Sequence, residues 1–164
     1  MITFRKINGI VDIHFINEVR NQYSEEYLHD SRTFTLSESY DWFKKMNPDW
    51  YIILNNDNPI GYFRLSNYSE ENMNIYVGAD ISPEHTGKGF GYLSYETFLP
   101  YLFDEYGLNK VSLEVLATNE RAIHLYKKIG FVVEGVKREE VLKKGILVDS
   151  IIMSILRSEL KWKI

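Results

Sequence analysis

The chain contains no cysteine among its 164 residues. That absence excludes disulfides, thiolate zinc sites, iron–sulfur clusters and a cysteine nucleophile. Proline and glycine are scarce, at 4 and 10 residues, too few for a long linker, and neither a low-complexity segment nor an internal repeat is present. A single domain over residues 1–164 is therefore expected. No apolar run approaches the length of a membrane span, and no membrane partner is expected. Positive charge is not in excess: 19 basic against 23 acidic residues leave a net charge of −4, which argues against a nucleic-acid partner held by bulk charge. The opening residues carry no basic stretch followed by an apolar one, so a cytoplasmic location is expected. His14, His29, His85 and His124 stand apart without metal-ligand spacing, and no metal site is expected.

What the chain does have is a composition that is 45% hydrophobic and 15% aromatic, enough to bury a core. Ile2 and Phe4 alternate with Thr3 and Arg5, which predicts a strand over 2–7. Val11, Ile13, Phe15, Ile16, Val19 and Tyr23 follow helical spacing. Thr35 and Glu38 have capping-box spacing ahead of Tyr40, Trp42 and Phe43, so a second helix is expected from Thr35 to just before Pro48. The stretches 50–54 and 60–65 flank Asn55-Asn56-Asp57-Asn58-Pro59 and read as a hairpin. A strand over 73–81 runs into Ser82-Pro83 and a cluster of three glycines, Gly87, Gly89 and Gly91. Beyond it, Phe90, Leu93, Thr97, Phe98, Tyr101 and Leu102 repeat at helical spacing, with Pro100 expected to kink or loosen the middle. A strand over 111–116, a helix over 119–129 stopped by Gly130, and a hairpin of 131–141 and 146–156 around Lys143-Lys144-Gly145 complete the chain. The order β-α-α-β-β-β-α-β-α-β-β predicts an α+β (mixed α/β) fold with a single central, largely antiparallel sheet and flanking helices.

The segment Ile81-Ser82-Pro83-Glu84-His85-Thr86-Gly87-Lys88-Gly89-Phe90-Gly91 joins a strand to a helix start, where free backbone N–H groups and the helix dipole point outward together. Glycines let a phosphate approach the backbone, and Lys88 adds a cation at the same place. A pyrophosphate is the natural guest. An isolated Gly-x-Gly-x-Gly can equally serve backbone geometry alone. A P-loop is excluded, because Gly87-Lys88 is followed by Gly89 and position 82 is serine. A dinucleotide fingerprint starting at Gly87 would need glycine where Tyr92 stands, although Glu114 lies at a plausible downstream distance.

The segment Thr86-Gly87-Lys88-Gly89-Phe90-Gly91 resembles the acyl-CoA pyrophosphate loop of the GNAT superfamily of N-acetyltransferases. Asn119-Glu120-Arg121-Ala122-Ile123-His124-Leu125-Tyr126-Lys127-Lys128-Ile129-Gly130-Phe131 resembles that family's second motif. The two lie in the family's order, one helix and one strand apart, and the remaining elements follow along essentially the whole chain. The resemblance implies acetyl-CoA as co-substrate and a small-molecule primary amine as acceptor. It implies that Ile81 offers backbone groups to the pantetheine arm, and that Thr86, Gly87, Lys88, Gly89, Phe90 and Gly91 hold the pyrophosphate. Asn119 would hydrogen-bond the cofactor, and Tyr126 would stand near the thioester sulfur. The family usually has Gln or Arg at the position of Thr86. By residue type alone, Asn119 can equally be a helix cap, and Tyr126 a core aromatic three residues from Ile123 and Ile129.

Acetyl transfer to an amine needs a neutral amine, a polarised carbonyl and a stabilised thiolate. Backbone N–H groups at the splayed end of the 73–81 strand are placed to polarise the carbonyl, with Gly78 expected to permit a local irregularity. Tyr126 is expected to donate to the thiolate. Full transfer from a phenol of pKa about 10 to a thiol near 8.5 is uphill by roughly 2 kcal/mol, so a strong hydrogen bond suffices. For the proton of the amine the candidates are Asp80, at a strand end, and Glu114, on the neighbouring strand; either can equally be a solvated carboxylate. Arg20-Asn21 followed by Trp42-Phe43 resembles the branch that acetylates nucleotide-linked amino sugars, so Arg20, Asn21 and Trp42 are expected at the acceptor. Protein N-termini and polyamines are the alternatives, the latter with no acidic run here beyond Glu25-Glu26. A non-catalytic acyl-CoA or nucleotide-binding module is the competing class, and a homodimer is compatible with both classes.

Overall fold

The computed structural model describes residues 1–162; the last two residues of the expected domain lie outside the described residues. The elements are β1 (Ile2–Lys6), α1 (Gly9–Tyr23), α2 (Leu36–Met46), β2 (Tyr51–Asn55), β3 (Asn58–Ser69), β4 (Asn74–Ile81), α3 (Phe90–Glu105), β5 (Lys110–Leu116), α4 (Glu120–Ile129), β6 (Val132–Lys143) and β7 (Ile146–Leu156). The seven strands form one sheet in the order β1-β2-β3-β4-β5-β7-β6. Every neighbouring pair is antiparallel except β4 and β5.

Strand alternation divides the central strands between two cores. Ile52 and Tyr62 face one side, where they meet Ile13, Ile16 and Val19 of α1 and Phe43 of α2. Ile53, Phe63, Leu65 and Val77 face the other, against Phe98, Leu99, Leu102 and Phe103 of α3. Phe63 stacks on Phe98 with ring centroids 4.0 Å apart. Truncating either ring would cost about 3–5 kcal/mol.

Local signals account for the helix ends. The α2 capping box forms in full: Glu38 N–H donates to Thr35 Oγ1 at 3.1 Å, and Thr35 N–H donates to the Glu38 carboxylate at 2.8 Å. Asn119 Oδ1 accepts from Ala122 N–H at 3.3 Å at the start of α4, and Gly130 ends that helix at φ 125°. The helix α3 runs through Pro100 as one element, as its spacing predicts. Two details differ from the sequence reading. The first hairpin turns on Asn56 and Asp57 alone, both at positive φ, so Pro59 lies within β3 opposite Leu54. Lys143 is no exposed turn residue: its ammonium is buried and donates to Ser24 O and Ser31 Oγ, each at 2.7 Å, tying the β6–β7 hairpin to the loop after α1.

The pairing of β4 with β5 covers only Asn74–Lys110, Ile75–Val111 and Tyr76–Ser112. Beyond Tyr76 the two strands part, and the sheet opens along the second half of β4. Gly78 introduces no irregularity into this strand. Its pairing with Arg64 of β3 is regular, and what its missing side chain provides is room for the arginine.

Candidate active site

A cavity of about 420 Å³ lies at this opening, between the end of β4, the glycine loop, the start of α3 and the inner face of α4. Among the expected residues it is lined by Asp80, Ile81, Thr86, Gly87, Gly89, Phe90, Gly91, Asn119 and Tyr126. The helix α3 begins with no side-chain cap. Its first N–H groups are therefore left for a guest, as an anion site requires. Gly87 and Gly89 sit at φ 76° and 80°, where a β-carbon is strained. Gly91 serves packing instead, since a Cβ there would meet Leu125 Cδ2 of α4 at 2.9 Å.

The side chains of the loop are employed differently from expectation. Thr86 Oγ1 donates to Pro83 O at 2.8 Å, closing the turn before the glycines, so the position bearing Gln or Arg in the family holds a loop staple here. Lys88 does not line the cavity; its ammonium donates back to Glu84 O at 2.9 Å. The cation at the loop is Arg121 of α4, whose Nη2 lies 4.0 Å from the position a Cβ of Gly87 would take. Sequence reasoning missed it, although it stands two residues after Asn119 in the second motif. Asn119 caps α4 through its Oδ1 and lines the cavity as well, so the two alternatives meet in one residue. Ile81 O accepts the Tyr23 hydroxyl at 2.5 Å, so this carbonyl has one lone pair already engaged.

Tyr126 is buried, its ring edge-on to Tyr95 at 5.8 Å between centroids. Burial pushes its hydroxyl up, and the charge of Asp80 adds to the effect. The hydroxyl is thus a proton donor at neutral pH. Asp80 lines the same cavity with its side chain only 11% exposed, and Arg64 Nη2 approaches its Oδ2 at 3.4 Å. The Tyr62 and Tyr95 hydroxyls, Arg64 Nε and Asp80 Oδ2 are buried without a hydrogen-bond partner among the described residues. Each such atom costs about 1–3 kcal/mol unless a guest or water satisfies it.

Glu114 is not brought to the cavity. It accepts from Lys137 Nζ at 2.7 Å and from Ser150 Oγ at 3.4 Å, with His29 Nε2 3.7 Å away. It lies instead among side chains of β6, β7 and the loop after α1. Burial holds His29 below the usual imidazole range, so it is largely neutral at pH 7.

Arg20, Asn21 and Trp42 are likewise absent from the cavity. Asn21 donates to Phe34 O at 2.8 Å and accepts from Phe34 N–H at 3.0 Å. Both ends of its amide are used to pin the α1–α2 loop, which corrects the expectation that it binds the acceptor. Arg20 donates to Arg32 O at 2.7 Å and lies over the Phe34 ring at 4.6 Å. Trp42 and Arg20 border a second cavity of about 450 Å³ between α1 and α2. Among the described residues no three His, Cys, Asp or Glu side chains form a metal-holding group, and no helix is long and apolar enough to cross a membrane.

An opened sheet beside an uncapped helix start, with a buried phenol at the wedge, defines a nucleotide-thioester site built for acyl transfer. Residues 16–131 match the Acetyltransferase (GNAT) family. The chain belongs to that family and is an acetyl-CoA-dependent N-acetyltransferase. It is 32% identical over 150 residues to spermidine N(1)-acetyltransferase of Vibrio cholerae, covering 90% of this chain and 87% of that one. It is 29% identical over 99 residues to the putative ribosomal N-acetyltransferase YdaF of Bacillus subtilis, covering 60% and 54%. The structure superposes on spermidine N-acetyltransferase from Vibrio cholerae in complex with CoA and spermine with a TM-score of 0.89, at 28% identity and 96% coverage of both chains.

Proposed function

We propose that the chain acetylates a primary amine of a polyamine of the spermidine class. The observation that carries this reading is the likeness, over 96% of both chains, to a spermidine N-acetyltransferase holding CoA and spermine. Bound acetyl-CoA supplies an acetyl group activated as a thioester. The start of α3 and the backbone of Gly87 and Gly89 would hold its phosphates, with Arg121 as the nearby cation and Asn119 on the wall. Tyr126 donates toward the departing sulfur. As the carbon–nitrogen bond forms the nitrogen sheds one proton, and as the carbon–sulfur bond breaks the sulfur gains one, so Tyr126 ends as it began. Of the two candidate carboxylates we place Asp80 at the amine, because it shares the cavity with Tyr126 and Glu114 does not.

A specific observation favours a second acceptor, an amino sugar on a nucleotide carrier. Three carboxylates in and around the site are paired within the chain: Asp80 with Arg64, Glu114 with Lys137, and Asp30 with Arg32. A polyamine would have to compete with these cations, whereas a hydroxyl-rich or phosphorylated acceptor would use them. Thiol release measured with spermidine, a uridine-diphosphate-linked amino sugar and an N-terminal peptide at equal concentration decides. Spermidine is expected to give the highest kcat/KM, and a clear preference for the sugar would install the second reading in its place.

A further inference from the structure

An alkylamine has a pKa near 10, so at neutral pH only about one molecule in a thousand carries the free lone pair that attack requires. The opening beside β4 holds two fixed charges of opposite sign. Arg64 faces Gly78 across the β3–β4 pair. It occupies the space a side chain at 78 would need: a Cβ there would lie 2.8 Å from Arg64 Nη2 and 3.1 Å from Cζ. From that position Nη2 reaches to 3.4 Å from Asp80 Oδ2. Beyond that ion pair, Arg64 Nε and Asp80 Oδ2 have no hydrogen-bond partner among the described residues, and the Asp80 side chain, 11% exposed, reaches the cavity.

We propose that the Asp80 carboxylate accepts a hydrogen bond from the acceptor's amine and that Arg64 keeps that amine in its neutral form. This rests on the N-acetyltransferase reading and holds for either acceptor above. A lone carboxylate favours the ammonium form of a bound amine; a guanidinium a few ångströms away offsets that preference, and loss of water around the nitrogen then lowers its pKa below the free value. The surrounding groups act with Arg64. From α1, Arg20 adds positive charge, and Tyr23 is a neutral phenol whose hydroxyl burial has pushed up to about 12. His29, from the loop after α1, is held neutral by burial. Tyr62 of β3, Tyr95 of α3 and Tyr126 of α4 are raised by burial and remain uncharged. Asp80 is the one carboxyl side chain that lines this cavity among the described residues, and it faces Arg64 directly. The ammonium's proton leaves to solvent past the Arg64 side chain, which is about a third exposed. No other base is then required before attack.

Calorimetric titration of the CoA-loaded protein with spermidine at pH 7.5, in buffers of different ionisation heat, counts protons released on binding without turnover. The parent is expected to release close to one proton per spermidine, Arg64→Met close to none, and Arg64→Lys most of the parent value. In parallel, the acidic limb of kcat at saturating amine should move up by about one pH unit in Arg64→Met, since that limb reports groups in the bound complex. Binding by the parent with no proton release overturns the proposal, as does parent-like release by Arg64→Met. Should Arg64→Met fail to fold, Gly78→Ala displaces the guanidinium instead, and undiminished release by it is equally fatal. If spermidine does not bind, the polyamine reading alone fails, and the same titration is run with the uridine-diphosphate-linked amino sugar. Binding of neither overturns both readings.

Discussion

On the α3–α4 side of the opened sheet the site is made mostly of backbone: a glycine loop, an uncapped helix start and one phenol. On the α1–α2 side it is made of side chains from β3, β4, β5, β6 and the loop after α1, each already held by another. Arg64 meets Asp80, Lys137 meets Glu114, and Asn21 and Arg20 hold the loop. Backbone donors recognise any phosphate wherever the chain turns in this way. A lattice of paired charges recognises only what can rearrange it. The cofactor side can therefore stay constant while the acceptor side varies, in keeping with relatives named for acceptors as different as spermidine and the ribosome.

The comparison is broken most directly at Tyr126, where both sides meet. Tyr126→Phe should lower kcat by about 10²- to 10⁴-fold, the usual worth of general-acid assistance, while acetyl-CoA affinity changes by no more than about threefold. Turnover within a few-fold of the parent, under conditions where thiol release limits the rate, would reduce Tyr126 to a packing residue beside Tyr95 and Phe131.

Gly89→Val tests the claim that the cofactor side is backbone. The added Cβ has open space around it, so the fold should be retained, but φ 80° is strained for a branched residue and the helix start must shift. Loss of one or two charge-assisted hydrogen bonds to phosphate should weaken acetyl-CoA binding roughly 10- to 100-fold. Unchanged affinity in a protein with parent-like circular dichroism would place the phosphates elsewhere.

Asn21→Ala acts on the other side alone. It strands the Phe34 N–H and C=O, which should cost about 2 kcal/mol and lower Tm by roughly 4–8 °C in a chain of this length. Acetyl-CoA affinity should hold while KM for the amine rises. If both affinities fall together, the two sides are one cooperative unit and the division is wrong.

Legibility in the sequence follows the same line. Thr35 with Glu38, Asn119 with Gly130, and Gly87 with Gly89 act through local backbone geometry, so short-range spacing revealed them. Tyr126 and Asp80 fell in the cavity because each is fixed by its place on a helix or strand that the pattern also revealed. Arg64 opposite Gly78 depends on strand register, which composition and spacing do not encode, and it went unnoticed. The amide of Asn21 and the ammonium of Lys88 mislead for one reason: a polar side chain beside a suggestive motif looks free in the sequence, while a carbonyl a few residues away, or across a loop, already holds it.

The smallest expected effect concerns acid. Hydrogen bonds from Arg32 hold the Asp30 carboxylate down, at about 2 against an ordinary 3.8. Because the folded value lies below the unfolded one, Asp30 contributes stability that is present above about pH 4 and is lost as pH falls toward 2. Its side chain is 40% exposed, so solvent screening keeps the contribution below about 1 kcal/mol. Urea midpoints of Asp30→Asn and the parent should therefore differ at pH 6 and converge near pH 2, with the difference closing inside that window. Gly89→Val changes no ionisable group, so it should differ from the parent by the same amount at both pH values. A gap for Asp30→Asn that does not vary with pH would mean the Asp30–Arg32 pair contributes turn geometry and no net charge interaction, and the acceptor side would lose one of the ion pairs that set it apart.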